Sequence, residues 1–455
     1  MSEAKQFAIS IVRTLRERGH QAYLCGGCVR DLMLGREPAD FDVTTDAHPD
    51  EVMRIFPETY AVGAQFGVVL VPLPKADAAE VKDAEPPVSP KSRVIEVATF
   101  RSDIGYSDGR HPDEVRFSKD PREDVGRRDF TINGLLMDPL SGEVLDFVGG
   151  RTDLEAGIVR TIGDPEQRFA EDKLRMLRAV RFAARFEYRI DPPTLAAIQK
   201  MSSQIHQVSP ERVRDELTKM LTEGRARQAF LMLDESGLLF EVLPEISVMK
   251  GVEQPPQYHP EGDVFVHTLL LLENLPHPCP PTLAWGALLH DVGKPPTFRV
   301  APDRIRFDGH VEVGIRMAEA ICRRLRFSND DTEQISELVH QHMRFGQITL
   351  MKESTLKKFL RMPKFEEHLD LHRMDCQASH GDLSSHRFAH EQVEAIPPEK
   401  MRPAPLLTGH DLIAAGYVPG PRFKEILSAI EDGQLDGQLH SKEEAMGFVA
   451  REFPL

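Results

Sequence analysis

No stretch of this 455-residue sequence approaches about eighteen uninterrupted apolar residues, which excludes an ordinary membrane-spanning helix. Cysteine is scarce. The five present are scattered, as expected of a protein kept in a reducing compartment. Positive charge is also in short supply: 56 Lys and Arg stand against 72 Asp and Glu, a net charge of −16. That excludes a generally basic nucleic-acid binder, so any contact with a polyanion must come from local basic stripes. The N-terminus has no apolar signal core. Phe7, Ile11, Val12 and Leu15 follow helical spacing instead, with Gly19 placed to stop the helix. A cytoplasmic protein is expected. With 41% apolar and 28% charged residues, the chain should form two to about four globular domains.

What the sequence does contain is organised around residues 24–45. Ala22 to Cys25 reads as a strand, Gly26-Gly27 as a turn, and Cys28 to Leu34 as a short helix stopped by Gly35. Such a turn lets backbone approach a ligand closely, and the helix start offers free N–H groups to phosphate. Asp40-Phe41-Asp42-Val43 reads as a second strand, which puts Asp40 and Asp42 on one face with Phe41 behind. Two carboxylates beside a glycine turn suit a hard divalent cation and a nucleoside triphosphate. Each piece alone is an ordinary turn or a solvated strand end. Their order and closeness favour the functional reading. Cys25 and Cys28 form a C-x-x-C, but redox or zinc use would need a second pair or an aromatic-flanked βαβ context, and neither is present.

Through residue 150, short strands and helices alternate. Pro49–Phe56 reads as a helix, and Phe66–Leu73 and Arg93–Phe100 read as strands. Residues 74–92, rich in proline and charge, read as a flexible insert. Glu96 lies between apolar neighbours in its strand. It is a candidate third metal-site carboxylate, with a plain solvent-facing position of equal weight. A polar loop at 101–114 leads to a strand at Val115–Ser118. Asp120 then caps a helix that opens at Pro121 and is expected to run through Asn133.

From Asp164 the chain turns helical. Arg168–Phe186 reads as one helix with an arginine stripe at Arg175, Arg178, Arg181 and Arg185. Glu171, Asp172 and Arg175 lie on adjoining turns, placed to hydrogen-bond one planar group. Pro-rich junctions at 254–260 and 396–405 bracket a His-rich region, and 13 of the 18 His lie between 259 and 410. The expected division is 1–157, 158–253, 254–395 and 396–455. The fold class is α+β, a mixed sheet with helices followed by all-α domains.

Several of these stretches together resemble a known family. Gly26-Gly27-x-Val29-Arg30-Asp31 with Asp40-x-Asp42 resembles the opening motif of CCA-adding tRNA nucleotidyltransferases and bacterial poly(A) polymerases. Arg127-Arg128-Asp129-Phe130-Thr131-x-Asn133 is similar to their second motif, and Glu171-Asp172-x-x-Arg175-x-x-Arg178 to their base-reading motif. Ser209-Pro210-Glu211-Arg212-x-x-x-Glu216 looks like the helix-capping motif that follows. The resemblance covers residues 20–220. It implies a polymerase β-like head, then neck, body and tail. It also implies Mg²⁺ on Asp40 and Asp42, beside which Glu96, singled out by its place in the strand, is the third candidate catalytic carboxylate. Gly26, Gly27 and Arg30 would hold phosphates. Arg128, Asp129 and Asn133 would organise sugar and triphosphate, and Asp172 and Arg175, with Arg178, would read the base. Arg181 and Arg185 would face RNA. CTP, ATP and the tRNA 3′ end are the expected partners.

Val62-Gly63-Ala64-Gln65-Phe66-Gly67 has the CCA-type form, and the 101–114 loop is long. Full CCA addition is therefore favoured, with A-only and poly(A) addition as alternatives. The tail near Gly416–Pro421 is expected to touch the tRNA elbow. The order His267, His290-Asp291, Asp375 resembles the HD phosphohydrolase superfamily, which implies a divalent ion such as Mg²⁺, Mn²⁺ or Ni²⁺ on those four residues. His310 and His342 would supply further ligands or bind phosphate.

Overall fold

The computed structural model describes residues 2–60, 66–74, 94–105, 114–257 and 259–455. The 75–92 part of the insert, the 62–65 stretch and the 106–113 part of the polar loop lie outside the described residues. The chain divides into two compact units, 1–244 and 245–455.

The first unit begins with a mixed sheet. Its strands are β1 (Ala22–Cys25), β2 (Asp42–Thr45), β3 (Val68–Pro72), β4 (Val94–Thr99), β7 (Leu135–Met137) and β8 (Val144–Asp146), in the order β3-β4-β2-β1-β7-β8. A separate hairpin pairs β5 (Arg101–Ile104) with β6 (Glu114–Phe117). The central pair β2 and β4 runs parallel, in a register that sets Asp42 beside Glu96. Alternation does the rest: Val43, Ile95 and Val97 are buried on the side opposite the carboxylates. Gly27–Met33 is the short helix after the glycine turn.

Two expected helices prove shorter. The helix capped by Asp120 ends at Gly126, and Thr131–Asn133 forms a separate 3-10 turn after an isolated bridge at Phe130. Asp129 explains the break, because its side chain accepts from the N–H of Phe130 instead of continuing the helix. The helix expected over 168–186 is likewise two, Pro165–Glu171 and Leu174–Phe186. Asp172 is extended (φ −144°, ψ 105°), and its Oδ1 accepts the free N–H of Leu174 at 3.0 Å. The second expected strand begins at Asp42, with Asp40 and Phe41 just ahead of it.

The second unit is helical. Val264–Glu273, Pro281–Leu289, His310–Arg324, Asn329–Gln341 and Phe365–Ala378 carry the histidine cluster. A separate apolar core forms among Gly409–Ala414, Pro421–Leu435 and Lys442–Glu452, around Leu412, Ile426 and Val449. No described helix is long and apolar enough to cross a membrane.

One glycine fixes where the second motif sits. A Cβ at Gly150 would lie 2.2 Å from the backbone oxygen of Thr131, so the helix starting there packs directly on the 131–133 turn. Gly150→Ala is expected to destabilise this unit by about 1–3 kcal/mol through overpacking. Urea unfolding of the variant checks it, and an unchanged midpoint would show that the turn yields at no cost.

Candidate active sites

In the first unit, three carboxylates converge beside the start of β2, in the middle of the sheet. Asp42 is half-buried and pairs in register with Glu96, and Asp40 precedes it on the same face. Burial, then the charges of Glu96 and Asp40, push the Asp42 carboxyl up to about 7, against the opposing pull of Arg128. Glu96 is raised as well, by burial and by Asp40. A cluster that resists its own ionisation is short of positive charge, and an oxygen-only donor set of this kind fits a hard divalent cation. Gly26 closes the site from the β1 side. Its backbone (φ 70°, ψ −130°) suits glycine alone, and a Cβ there would meet Arg128 Nη1 at 2.8 Å.

Arg128 is itself held from behind by Asp124, which is fully buried. Asp124 Oδ1 accepts from Arg127 Nε and Nη2 at 3.0 and 2.7 Å, and Oδ2 accepts from Arg128 Nη2 at 3.0 Å. Burial alone would raise this carboxyl, but the two arginines hold it below its ordinary value. Asp129 is locked in turn: Arg178 donates Nε and Nη2 to its Oδ2 at 2.9 and 2.7 Å, and Asn133 Nδ2 donates to Oδ1 at 3.0 Å. Asn133 Oδ1 accepts from Arg30 Nη1 at 2.6 Å.

Several arginines expected to face nucleotide or RNA therefore have their guanidinium groups engaged within the protein. Arg30 is buried against Asp31, Asn133 and the Phe186 ring. Arg178 is spent on Asp129. Arg181 is buried on Glu216 at 2.6 Å and Glu223 at 3.3 Å, which corrects its place in an outward stripe, while Arg185 stays half-buried on Glu223. Asp172 receives Arg212 Nη2 at 2.8 Å. Arg175 donates to Glu171 at 2.6 Å and to the backbone oxygens of Arg127 and Arg168. The thiols take no part. Burial pushes Cys25 up to about 12 and raises Cys28 too, and among the described residues no cysteine belongs to a group able to hold a metal.

The second unit holds the histidine cluster. His267 Nε2 lies 3.1 Å from Asp375 Oδ1 and 3.3 Å from His290 Nε2, and His290 Nε2 lies 3.2 Å from Asp291 Oδ2. On the other side of the same carboxylate, His310 and His342 point Nε2 at Asp291 Oδ1 from 3.9 and 3.8 Å. Both of these Nε2 atoms are buried without a hydrogen-bond partner. His290, His310 and His342 give their Nδ1 protons to the backbone oxygens of Ala287, Phe307 and Val339, which leaves each Nε2 lone pair facing inward. Three groups able to hold a divalent ion result among the described residues, His259-Glu261-His267, His267-His290-Asp375 and Asp291-His310-His342, with Asp291 also facing the second. Asp291, His310, His342 and Asp375 line a cleft of about 430 Å³ together with Lys294, Arg304, Phe307 and His259.

Comparison with known proteins finds matches in both units. Residues 22–160 match the poly A polymerase head domain. Residues 187–249 match a probable RNA- and SrmB-binding site of polymerase A, and residues 265–399 match the HD domain. A CCA-adding enzyme of Bacillus pumilus is 36% identical over 296 residues, 64% of this chain and 65% of that one. One from Bacillus subtilis is 41% identical over 237 residues, 52% and 55% of the two chains. The matched stretch thus spans between half and two-thirds of these relatives' length. The solved CCA-adding enzyme of Bacillus stearothermophilus in complex with CTP superposes with a TM-score of 0.74 at 26% identity, covering 99% of this chain and 98% of that one. The Thermotoga maritima enzyme complexed with tRNA shares the fold, with a TM-score of 0.57 at 19% identity over 98% and 94%.

Within the head domain, Asp124 is the residue that sequence reasoning missed. Its only signal is a carboxylate three and four positions before two adjacent arginines on a helix end. Arg212 was visible only as part of a capping motif, and Glu261 carried no signal at all. Asp124→Asn removes the charge that pins Arg127 and Arg128. It is expected to cost about 3–5 kcal/mol of stability, as for one partner of a buried ion pair. It should also raise the KM for nucleotide more than it lowers kcat. Urea unfolding and steady-state kinetics check both, and an unaltered KM would detach Asp124 from the site.

Proposed function

We propose that the chain adds CMP and AMP from CTP and ATP to the 3′ end of tRNA, without a template, by two-metal nucleotidyl transfer. The observation that carries this reading is the convergence of Asp40, Asp42 and Glu96 on one face beside the Gly26 turn, with Asp42 and Glu96 side by side on parallel strands. Asp40 and Asp42 would hold Mg²⁺, with Glu96 as a third carboxylate. When bound, such ions activate the attacking 3′-oxygen and stabilise charge on the departing pyrophosphate. The missing Cβ at Gly26 makes room for the Arg128 guanidinium, and the backbone of Gly26 and Gly27 would meet phosphate. Arg128, fixed by Asp124, offers charge beside the carboxylates, and Asp129 with Asn133 sets the sugar's place.

Asp172 and Arg175 would read the base. A carboxylate accepts from the amine that cytosine and adenine share, and a guanidinium donates to the ring acceptors. For that, Asp172 must exchange Arg212 for the amine, and Arg175 must turn from Glu171. Guanine and uracil present a carbonyl at that edge and would leave buried polar groups unpaired, at about 1–3 kcal/mol each. We read 1–157 as head, 158–253 as neck and body, 254–395 as the HD domain and 396–455 as tail.

A second activity, metal-dependent hydrolysis of a phosphate ester, is favoured by one observation. Asp291 presents its two oxygens to two groups of inward-facing histidines. His267, His290, Asp291 and Asp375 would hold one divalent ion such as Mg²⁺, Mn²⁺ or Ni²⁺, and His310 and His342 would extend the set. Lys294, 2.7 Å from Asp291, adds positive charge beside the cleft.

Sequencing the 3′ end of tRNA incubated with CTP, ATP and Mg²⁺ should show CCA. A product carrying only A, or a long A tract, would replace this reading with its alternatives. Asp42→Ala should cut incorporation about a thousand-fold or more, the loss of several kcal/mol of transition-state stabilisation. Asp291→Ala should abolish hydrolysis of a nucleoside 2′,3′-cyclic phosphate while incorporation persists. Hydrolysis that survives Asp291→Ala would remove the second activity.

A further inference from the structure

We propose that Glu261 is a positioning residue of the histidine cluster, holding His267 in the tautomer that presents Nε2 to a divalent cation. The inference rests on reading that cluster as a metal site. Four histidines face inward there, and three of them surrender the Nδ1 proton to a backbone oxygen. His267 is the exception. It sits in the first turn of Val264–Glu273, and its Nδ1 lies 2.7 Å from Glu261 Oε1. A carboxylate therefore does for His267 what a carbonyl does for the others. As the stronger acceptor, it also makes the ring a better donor to a metal.

The position of Glu261 is built rather than incidental. Gln254 N donates to Gly262 O at 2.6 Å, Val264 N donates to Val252 O at 3.0 Å, and Glu253 and Asp263 form an isolated bridge. Asp263 also caps the His267 helix, accepting from Val266 N at 3.0 Å. Residues 252–254 are thus tied to residues 262–264, and Glu261 stands directly before that tie. The same segment sends Gln254 Oε1 to Lys294 Nζ at 2.6 Å, so it braces the cluster at two points.

A purely structural role explains Glu261 poorly. The side chain is 6% exposed, and Oε2 is buried without a partner. Its hydrogen bonds come from two histidines, His267 and, at 2.9 Å, His259. Around His267 stand three carboxylates, Asp291, Asp375 and Glu261, while Lys294 is the one permanently charged cation among the side chains bonded to them. Burying that much negative charge is costly unless a cation completes the set.

The test uses the full chain with Mg²⁺ in excess to fill the head, titrated with Co²⁺ and followed by its visible absorption. Glu261→Ala should weaken Co²⁺ binding about 10- to 100-fold. Glu261→Gln keeps an oxygen acceptor and should lose less. In the Co²⁺ complex, the shifted Nδ1–H proton signal of His267 should exchange faster with solvent in Glu261→Ala, while those of the other ligand histidines hold. Co²⁺ affinity within twofold of wild type in Glu261→Ala would overturn the proposal, as would uniform loss of all the shifted signals. Should Glu261→Ala fail to fold, Glu261→Gln decides: weaker binding supports the proposal and unchanged binding overturns it. A wild-type chain that takes up no Co²⁺ would instead overturn the metal reading itself, and this proposal with it.

Discussion

Parallel pairing of β2 with β4 is the constraint on which the first site depends. It forces Asp42 and Glu96 side by side, and Asp40 arrives just ahead of Asp42 on the same face. Burial first, and then like charges so close, raise the affinity for protons, and Asp42 rises to about 7. The fold tolerates this because the opposite faces of both strands are apolar and buried. Hydrophobic burial behind the sheet stabilises an arrangement that is unfavourable in front. Such a site stores an electrostatic demand for cations, and the regular geometry of a strand pair sets where that demand is met.

The arginines supply the counterpart. Asp124, Asp129, Glu216 and Glu223 each hold one or two guanidinium groups in or near the first unit's core. A planar guanidinium bonded on two edges has little freedom left, so these pairs specify orientation. Arg128 shows the effect best. Gly26 leaves space on one side, Asp124 holds the other, and the charge is delivered beside the carboxylates at a fixed place. Charge in this chain is acidic overall, and these carboxylates fix where its positive groups in the first unit lie.

Much of the first site was legible because its parts are local. A strand, a glycine turn and Asp-x-Asp lie within about twenty residues, and strand alternation follows from backbone geometry alone. Glu96 could be suspected from polarity between apolar neighbours, but its register with Asp42 is a long-range fact. The helix breaks at Asp129 and Asp172 were missed for a related reason. Both residues sit in segments of good helical periodicity, and what overrides the periodicity is a carboxylate that finds a better use bonding a nearby N–H. The arginine stripe misled in the same way. Spacing of three to four residues describes one face of a helix, but it cannot say whether that face meets solvent or the acidic face of a neighbouring helix. Arg181 meets Glu216, 35 residues on.

The histidine cluster shows how little of a metal site resides in its ligands. A histidine is a ligand only if one ring nitrogen is free, and that depends on where the other nitrogen sends its proton. For His290, His310 and His342 the acceptor is a backbone oxygen three residues earlier. Helical geometry offers that acceptor wherever such a ring turns back on its own turn, so no further residue need be recruited. For His267 the oxygen three residues earlier, that of Val264, instead accepts the Thr268 hydroxyl at 2.9 Å. The ring's proton must go elsewhere, and the chain answers with a carboxylate from the preceding loop. The difference between three of these histidines and the fourth is therefore a consequence of where each sits in its helix. From it follows the need for an acidic residue just before the first turn, a requirement that no inspection of the ligand residues alone would reveal.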